Sequence, residues 1–347
     1  MNVSRSSFGR LDGHDVGLTT LRAGAFEARV LDYGAIVQAL LVPDRSGQVE
    51  DVALGFDRLE DYVSQTIFMG GTVGRVANRI AKGRFELDGR LCELETNNGP
   101  DHLHGGFHGW DKVLWIYEGS QATSDRASVR LSYDSPDGEG GYPGRVRAEA
   151  EFALTADGSL DISMRATTEQ RTLVNLAHHG YFNLGGPSRA TILDHELELF
   201  SDERTPGAPV VPDGRVVPVA GTPFDFRQAK RLGQDPPSRE SGPRGYDDNY
   251  LVRGAPTELR PVARLSDPQS GRTLHLSANQ PGVQLYSGIF LDGTFAGKGR
   301  TFEQYSAICL ETQAIPNAIN VPAWRHQVIL EPGHSYRHEM RLRFSAE

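Results

Sequence analysis

The chain has 347 residues, and its 36 lysine and arginine residues against 45 aspartate and glutamate residues give a net charge of −9. No basic block stands out, so nucleic acids and anionic membranes are not expected partners. The first residues lack the apolar core of a signal peptide, and the longest near-apolar run, residues 35–43, is too short to span a bilayer. We therefore expect a cytoplasmic protein that acts as a monomer or a homodimer.

Turn signals occur along the whole chain, which contains 39 glycines and 20 prolines. Asp-Gly occurs six times, and between alternating apolar residues it is a strong hairpin signal. The clearest hairpins are predicted at residues 84–94 and 150–166. Only residues 57–65 and 226–234 could form short helices. We therefore predict an all-β protein of many antiparallel strands with a few short helices, in one domain over residues 1–347.

Two other features have modest structural interpretations. Cys92 and Cys309 are far apart and fit no metal or redox spacing, so we interpret them as buried thiols in a reducing compartment. Residues 233–250 are rich in proline, glycine, serine and charge. Because this stretch ends in an Asp-Asp-Asn cluster, we expect a functional loop rather than a tether.

Five histidines form two groups, and three explanations compete for them. A metal site is disfavoured by the spacing of His102 and His104 and by the absence of a nearby cysteine. A structural role in turns, with bonds to the backbone, is favoured for His102, His108 and His178 taken individually. Proton transfer without a metal is the third explanation, because histidine exchanges protons near neutral pH. His178 and His179 are adjacent, so on a strand they would face opposite sides.

Charged residues in apolar surroundings are further candidates. Glu311 follows the apolar strand predicted at residues 307–310, where a carboxylate is either paired or raised in pKa. Asp247 lies in a predicted loop and could simply be a turn residue. Arg75 and Arg79 are set among small apolar residues, and one could be a buried guanidinium aimed at a polar ligand. Nucleophile-elbow, Walker and dinucleotide motifs are absent, which leaves histidine and carboxylate as a general acid–base pair.

The candidate residues lie within a recognisable series of motifs. In chain order they are GRVANRIAKGRFELDG, HLHGGFHGWDKVLW, NLAHHGYFNL, GYDDNY, QPGVQLYSGIFLDGT and ICLETQAIPNAIN. Together they resemble the galactose mutarotase (aldose 1-epimerase) family over nearly the whole chain. The resemblance implies a β-supersandwich fold and interconversion of the α and β anomers of aldohexoses of the D-galactose or D-glucose type. It also implies a small-molecule sugar substrate and no metal or organic cofactor.

The same resemblance implies roles for individual residues. His179 would be the acid that protonates the sugar ring oxygen, Glu311 the base at the C1 hydroxyl, and His104 a second histidine at the ring oxygen. His179 would start protonated, a state that a nearby carboxylate favours. "HHGY" replaces the family's common Asn-His-Ser-Tyr and leaves the acid in place. The residues implied for sugar binding are Asn78, Arg79, Asp247 and Gln284.

Three alternatives remain at this stage. An enzyme of the same fold acting on hexose 6-phosphates would need a basic residue, such as Arg75 or Lys82, near the C6 end of the sugar. A glycosidase would use a carboxylate pair such as Glu311 and Asp247. A non-catalytic carbohydrate-binding protein would need aromatic and polar contacts but no histidine–glutamate pair.

Overall fold

Antiparallel strands dominate the computed structural model, which describes residues 1–206, 211–239 and 242–347. The strands in chain order are β1 (Asn2–Leu11), β2 (His14–Ala23), β3 (Phe26–Leu31), β4 (Ile36–Pro43), β5 (Val49–Asp51), β6 (Thr72–Val73), β7 (Arg79–Ile80), β8 (Arg84–Leu87), β9 (Arg90–Glu93), β10 (His102–Leu103), β11 (Ile116–Ala122), β12 (Arg126–Ser135), β13 (Val146–Thr155), β14 (Ser159–Thr168), β15 (Thr172–Leu173), β16 (Ala177–His178), β17 (Glu196–Leu199), β18 (Ser201–Arg204), β19 (Val217–Pro218), β20 (Lys230–Arg231), β21 (Asp247–Val252), β22 (Arg260–Ser266), β23 (Arg272–Ala278), β24 (Gly282–Tyr286), β25 (Ala296–Gly297), β26 (Arg300–Thr301), β27 (Cys309–Gln313), β28 (Ile329–Leu330) and β29 (Ser335–Ala346). The helices are α1 (Leu59–Ser64) and 3-10 turns at Ala81–Gly83, Trp110–Lys112, Glu139–Gly141, Gly186–Ser188, Ala318–Asn320 and Arg325–Gln327.

Three larger sheets organise these strands. The longest has the order β11-β12-β13-β14-β29-β23-β22-β17-β20, and two five-stranded sheets have the orders β1-β2-β3-β4-β5 and β19-β18-β21-β24-β27. Strands β2 and β3 pack against β12 and β13, so the N-terminal sheet lies on one face of the longest sheet. The main apolar core lies between these faces, with Leu21, Val30, Phe152 and Ile162 completely buried. The all-β prediction is confirmed.

Both predicted hairpins form, and they use different turns. Asp88 and Gly89 both have positive φ, 54° and 73°, which suits a two-residue connection between β8 and β9. Between β13 and β14, only Gly158 has positive φ, at 78°, within a longer connection. The Asp-Gly signal therefore located the turns correctly but did not determine their type.

One of the two helix predictions is wrong. Helix α1 falls within residues 57–65 as predicted, whereas residues 226–234 contain the short strand β20, which pairs with β17. Phe226 and Leu232 are buried in the core, and the Leu232 N–H donates to the carbonyl of His195 at 3.0 Å. Tertiary packing and strand pairing thus outweigh the weak local helical pattern. Across the described ranges, no helix has the length and apolar character needed to cross a membrane.

Candidate active site

One face of the sheet containing β21, β24 and β27 supplies the acidic half of the site. Gln284 on β24 lies directly opposite Glu311 on β27, and Asp247 on β21 lies opposite Tyr286. Cross-strand partners and residues two apart share a face, so these side chains project to the same side. Gln284 Nε2 donates to Asp247 Oδ1 at 2.7 Å, which links the adjacent strands β24 and β21 across the sheet face.

The strand boundaries here correct two expectations. Asp247 is the first residue of β21 and not part of a loop. Glu311 is the middle residue of β27 rather than a residue that follows the strand. The predicted functional loop, residues 233–250, therefore ends as a strand, and its residues 240 and 241 lie outside the described part of the chain.

A pair of left-handed residues positions His104. Asn78 and His104 have φ of 61° and 50°, unusual values for residues other than glycine. The His104 N–H donates to the Asn78 carbonyl at 3.1 Å, and the Asn78 N–H donates to His104 Nδ1 at 3.1 Å. Gly105 follows at φ 91°, where a Cβ would lie 1.8 Å from the Gly74 carbonyl oxygen, so no other residue fits.

The adjacent histidines separate as alternation predicts. The His179 N–H donates to the Gly71 carbonyl at 2.8 Å, and its carbonyl accepts from the Gly70 N–H at 3.0 Å. These bonds fix the backbone just after β16, so that His179 lines a cavity. His178 is buried elsewhere, against Phe182.

All seven residues predicted for the site line one cavity of about 340 Å³, within the usual range of about 300–1,000 Å³ for small-molecule sites. His179 Nε2 lies 3.6 Å from Glu311 Oε1, and the rings of His179 and His104 are 5.2 Å apart. Arg79 is half-buried and donates from Nε to Asn98 Oδ1 at 3.0 Å. The lining consists of Thr66, Ile67, Phe68, Asn78, Arg79, Asn98, Leu103, His104, His179, Tyr181, Asp247, Gln284, Tyr286, Phe290 and Glu311.

Burial shifts the two central ionisable groups in opposite directions. It raises the pKa of Glu311 to about 8, an effect that Asp247 reinforces and Arg79 opposes. It lowers the pKa of His179 to about 4, which outweighs the opposing effect of Asp247. Burial thus opposes the protonated His179 that the resemblance implies, and it favours the neutral form of both groups in the free site.

Two polar atoms of the cavity wall make no hydrogen bond within the described part of the chain. Glu311 Oε2 and Gln284 Oε1 are buried and have no hydrogen-bond partner among the described residues. Buried polar atoms are normally paired, so unpaired ones on a cavity wall indicate a ligand with hydroxyl groups. A larger surface groove near Arg227 and Lys230 offers no such groups, because these cations are paired with Asp225 and Asp235.

Metal binding is the competing use of this cluster. His104, His179 and Glu311 offer three possible ligand atoms within 4.8 Å of one another. His104 Nδ1 is already occupied by the Asn78 N–H, so a metal would have to bind at Nε2. That requires the ring proton to move to Nδ1, where it would face the Asn78 N–H. The hydrogen bond therefore favours His104 as an Nε2–H donor and disfavours it as a ligand.

The remaining candidates, His102, His108 and Arg75, do not line the cavity. His102 lies between the Glu95 carbonyl and the Tyr142 hydroxyl, and the strand β10 ends before His104, so the two histidines do not share a face. His108 is exposed and contacts Glu95. Arg75 is buried and donates to the Pro143 and Gly144 carbonyls, away from the cavity.

Sequence reasoning missed the aromatic walls and one thiol. Tyr181 stacks on His179 with ring centroids 5.1 Å apart, and the Phe68 ring lies 4.5 Å from that of His104. Cys309 is buried with Sγ 3.7 Å from His179 Nδ1, whereas Cys92 is only half-buried. The spacing of Cys309 two residues before Glu311 was a usable signal, because both then face the same side of β27. Phe68 had none.

Comparison with known proteins agrees with this geometry. A sequence model of the aldose 1-epimerase family matches residues 17–343. The chain is 42% identical to galactose mutarotase from Bos taurus, with 99% of each chain covered, and 32% identical to aldose 1-epimerase from Escherichia coli, with 97% of each covered. The crystal structure of galactose 1-epimerase from Lactobacillus acidophilus superimposes with a TM-score of 0.85 at 29% identity, covering 99% of this chain and 98% of that one.

These matches show that the chain belongs to the aldose 1-epimerase family. The family, the galactose mutarotase type of fold and the isomerase class predicted from the motifs are confirmed. The phosphosugar, glycosidase and binding-module alternatives are not favoured.

Proposed function

We propose that the protein interconverts the α and β anomers of aldohexoses of the D-galactose or D-glucose type, by acid–base ring opening and reclosure in the cavity described above. The observation that carries the proposal is the buried contact of 3.6 Å between His179 Nε2 and Glu311 Oε1. The Bos taurus relative is named for galactose mutarotation, which supports the choice of sugar.

The reaction needs one base and one acid. Ring opening removes the proton of the C1 hydroxyl and adds a proton to the ring oxygen O5, and concerted transfer avoids both an alkoxide and an oxonium. Each well-placed group contributes about 10²–10⁴-fold. In the free site Glu311 holds the proton and faces Nε2 of a neutral His179. Transfer of that proton to Nε2 produces the carboxylate base and the imidazolium acid together.

Glu311 then takes the C1 hydroxyl proton while His179 protonates O5. The C1–O5 bond breaks to give the open aldehyde, C1–C2 rotates by half a turn, and the reverse transfers close the opposite anomer. The reaction consumes no co-reactant, because one proton leaves the C1 hydroxyl and one is added to O5. The low pKa of His179 makes its imidazolium a strong acid, and the high pKa of Glu311 makes its carboxylate a strong base.

The other lining residues hold the sugar. The Nε2–H of His104 donates to the ring oxygen, because its Nδ1 is fixed as an acceptor by Asn78. Asp247 and Gln284 bond hydroxyls on the sheet side, and Asn78 and Arg79 bond hydroxyls on the opposite side. Arg79 is the single cationic residue in the described lining, which supports a neutral sugar over a hexose 6-phosphate. Lys82 is exposed, and its backbone N–H donates to Asp101 Oδ1 at 2.8 Å.

Polarimetry of freshly dissolved α-D-galactose tests the proposal. The wild-type protein should accelerate the approach to the equilibrium rotation, whereas Glu311→Gln and His179→Asn should each lose at least about 10²-fold in kcat. Matched controls are Glu169→Gln and His108→Asn, which change exposed residues away from the cavity and should retain the wild-type rate. Wild-type kcat in either active-site variant would refute the assignment.

A further inference from the structure

Both ring nitrogens of His179 are contacted by a single strand. Glu311 Oε1 lies 3.6 Å from Nε2, and Cys309 Sγ lies 3.7 Å from Nδ1. The two residues are separated by one position on β27, so both side chains project to the same face. The Tyr181 ring stacks on the imidazole of His179 at an interplanar angle of 28°. The centroid of the Phe68 ring lies 5.8 Å from that of the imidazole, at an interplanar angle of 31°.

The surroundings of Cys309 determine what its sulfur can do. The Tyr181 hydroxyl donates to the Ile67 carbonyl at 2.9 Å, so its proton is engaged there rather than at the sulfur. The sulfur lies 3.7 Å from Nδ1 of His179 and has lone pairs that can accept an N–H. Burial raises the pKa of the Cys309 thiol well above its usual range, so the group stays uncharged.

We propose that Cys309 is a positioning residue, whose sulfur accepts the Nδ1–H of His179 so that Nε2 alone exchanges the catalytic proton. This inference rests on the proposed function. When His179 gives up a proton at Nε2, Nδ1 must keep its own proton, because losing both would leave an imidazolate. The contact with sulfur holds the Nδ1–H in the imidazolium and in the neutral ring, so the neutral ring has the Nδ1–H tautomer.

A thiol at this position also leaves the acid strong. Sulfur is a weak acceptor, whereas a carboxylate beside Nδ1 would stabilise the imidazolium and make it less willing to protonate O5. The same strand therefore supplies the base at one nitrogen and a neutral acceptor at the other. Sequence spacing alone could not distinguish this role from that of a packed thiol.

The test compares Cys309→Ala and Cys309→Ser in the full chain, with Cys92→Ala as the matched control. Nitrogen-15 NMR of the imidazole, assigned with His179→Asn, should show the Nδ1–H tautomer in the wild type and in the control. In Cys309→Ala we expect a mixture of tautomers and a fall in kcat of about tenfold or more, since a wrong tautomer of a catalytic histidine can cost up to about 10⁴. KM should stay within about twofold, and serine should restore part of kcat.

Two results would overturn the inference: an Nε2–H tautomer in the wild type, or an unchanged tautomer and kcat in Cys309→Ala. If the alanine variant does not fold, the serine variant provides both measurements. The proposed function fails separately, because it requires wild-type anomerisation, whereas the tautomer is measured without any sugar.

Discussion

The backbone N–H of Asn78 donates to Nδ1 of His104 at 3.1 Å, and this bond determines the chemistry open to the cavity. It places the ring proton of a neutral His104 on Nε2, facing the site. Burial lowers the pKa of His104 well below its usual value, with His179 adding to the effect, so the ring remains a neutral donor at neutral pH. His104 thus offers a hydrogen bond to a sugar oxygen without competing for the proton shared by Glu311 and His179.

The tautomer of His104 predicts insensitivity to metal removal. Dialysis against a strong chelator should leave kcat unchanged, because His104 has no lone pair available at Nε2 while Asn78 bonds Nδ1. His104→Gln, which retains an N–H donor, should keep more activity than His104→Ala. Polarimetry before and after chelation checks the first statement. Loss of activity on chelation that Zn²⁺ restores would contradict this account of the site.

The pKa values of the central pair predict a bell-shaped pH profile. Below about pH 4 both His179 and Glu311 are protonated, so no base remains, and above about pH 8 both are deprotonated, so no acid remains. Activity should therefore be flat between these limits and fall on either side. Asp247 raises the pKa of both groups, whereas Arg79 lowers the pKa of Glu311 and Lys112 lowers the pKa of His179.

The measurement is kcat by polarimetry across this range, after subtraction of buffer-catalysed anomerisation. His108→Asn serves as the control, because its change lies on the surface and should not move either limb. A profile governed by one ionisation near pH 6.5 would contradict the account, since it would indicate an unshifted histidine acting alone.

The sequence predicted the site better through its motifs than through its residue patterns. Period-2 alternation correctly separated His178 from His179, but it could not choose between a metal, a structural role and proton transfer. The choice depends on the register that sets Gln284 opposite Glu311 and on two left-handed residues that turn His104 toward the cavity. These are tertiary features without a local signal, and the motif resemblance supplied what local patterns lacked.

The wrong helix prediction has the same origin. Residues 226–234 resemble a helix locally but form the edge of the longest sheet, because pairing with β17 and burial of Phe226 dominate. A nearby carboxylate favours protonated His179, as Asp247 does here, whereas complete burial lowers the pKa of the ring. Burial depends on the whole assembly, so residue spacing could not give the sign of that shift.

Asp247 should influence both sugar binding and the pH profile. Asp247→Asn keeps the size of the side chain but removes an anion that raises the pKa of Glu311. We therefore expect the alkaline limb of kcat to move to lower pH, and KM to rise about tenfold through the loss of a charge-assisted bond to a sugar hydroxyl. Steady-state kinetics at several pH values measure both effects. An alkaline limb that stays in place would show that Asp247 does not act on Glu311.

The raised pKa of Glu311 has a cost in stability. An unfolded chain ionises this group near its ordinary value of 4.5, whereas the folded chain retains the proton up to about pH 8. The folded-state pKa is raised, so the contribution to stability is present below pH 4.5 and is lost as pH rises toward 8. At pH 7 the loss is about 3 kcal/mol.

The glutamine of the Glu311→Gln variant cannot ionise, so the free energy of unfolding of this variant in urea should exceed that of the wild type by up to this amount at pH 7. The difference should vanish near pH 4.5, and Glu169→Gln, a change at an exposed residue, should show none. A glutamine variant less stable than the wild type at pH 7 would mean that Glu311 is ionised and well solvated in the folded protein.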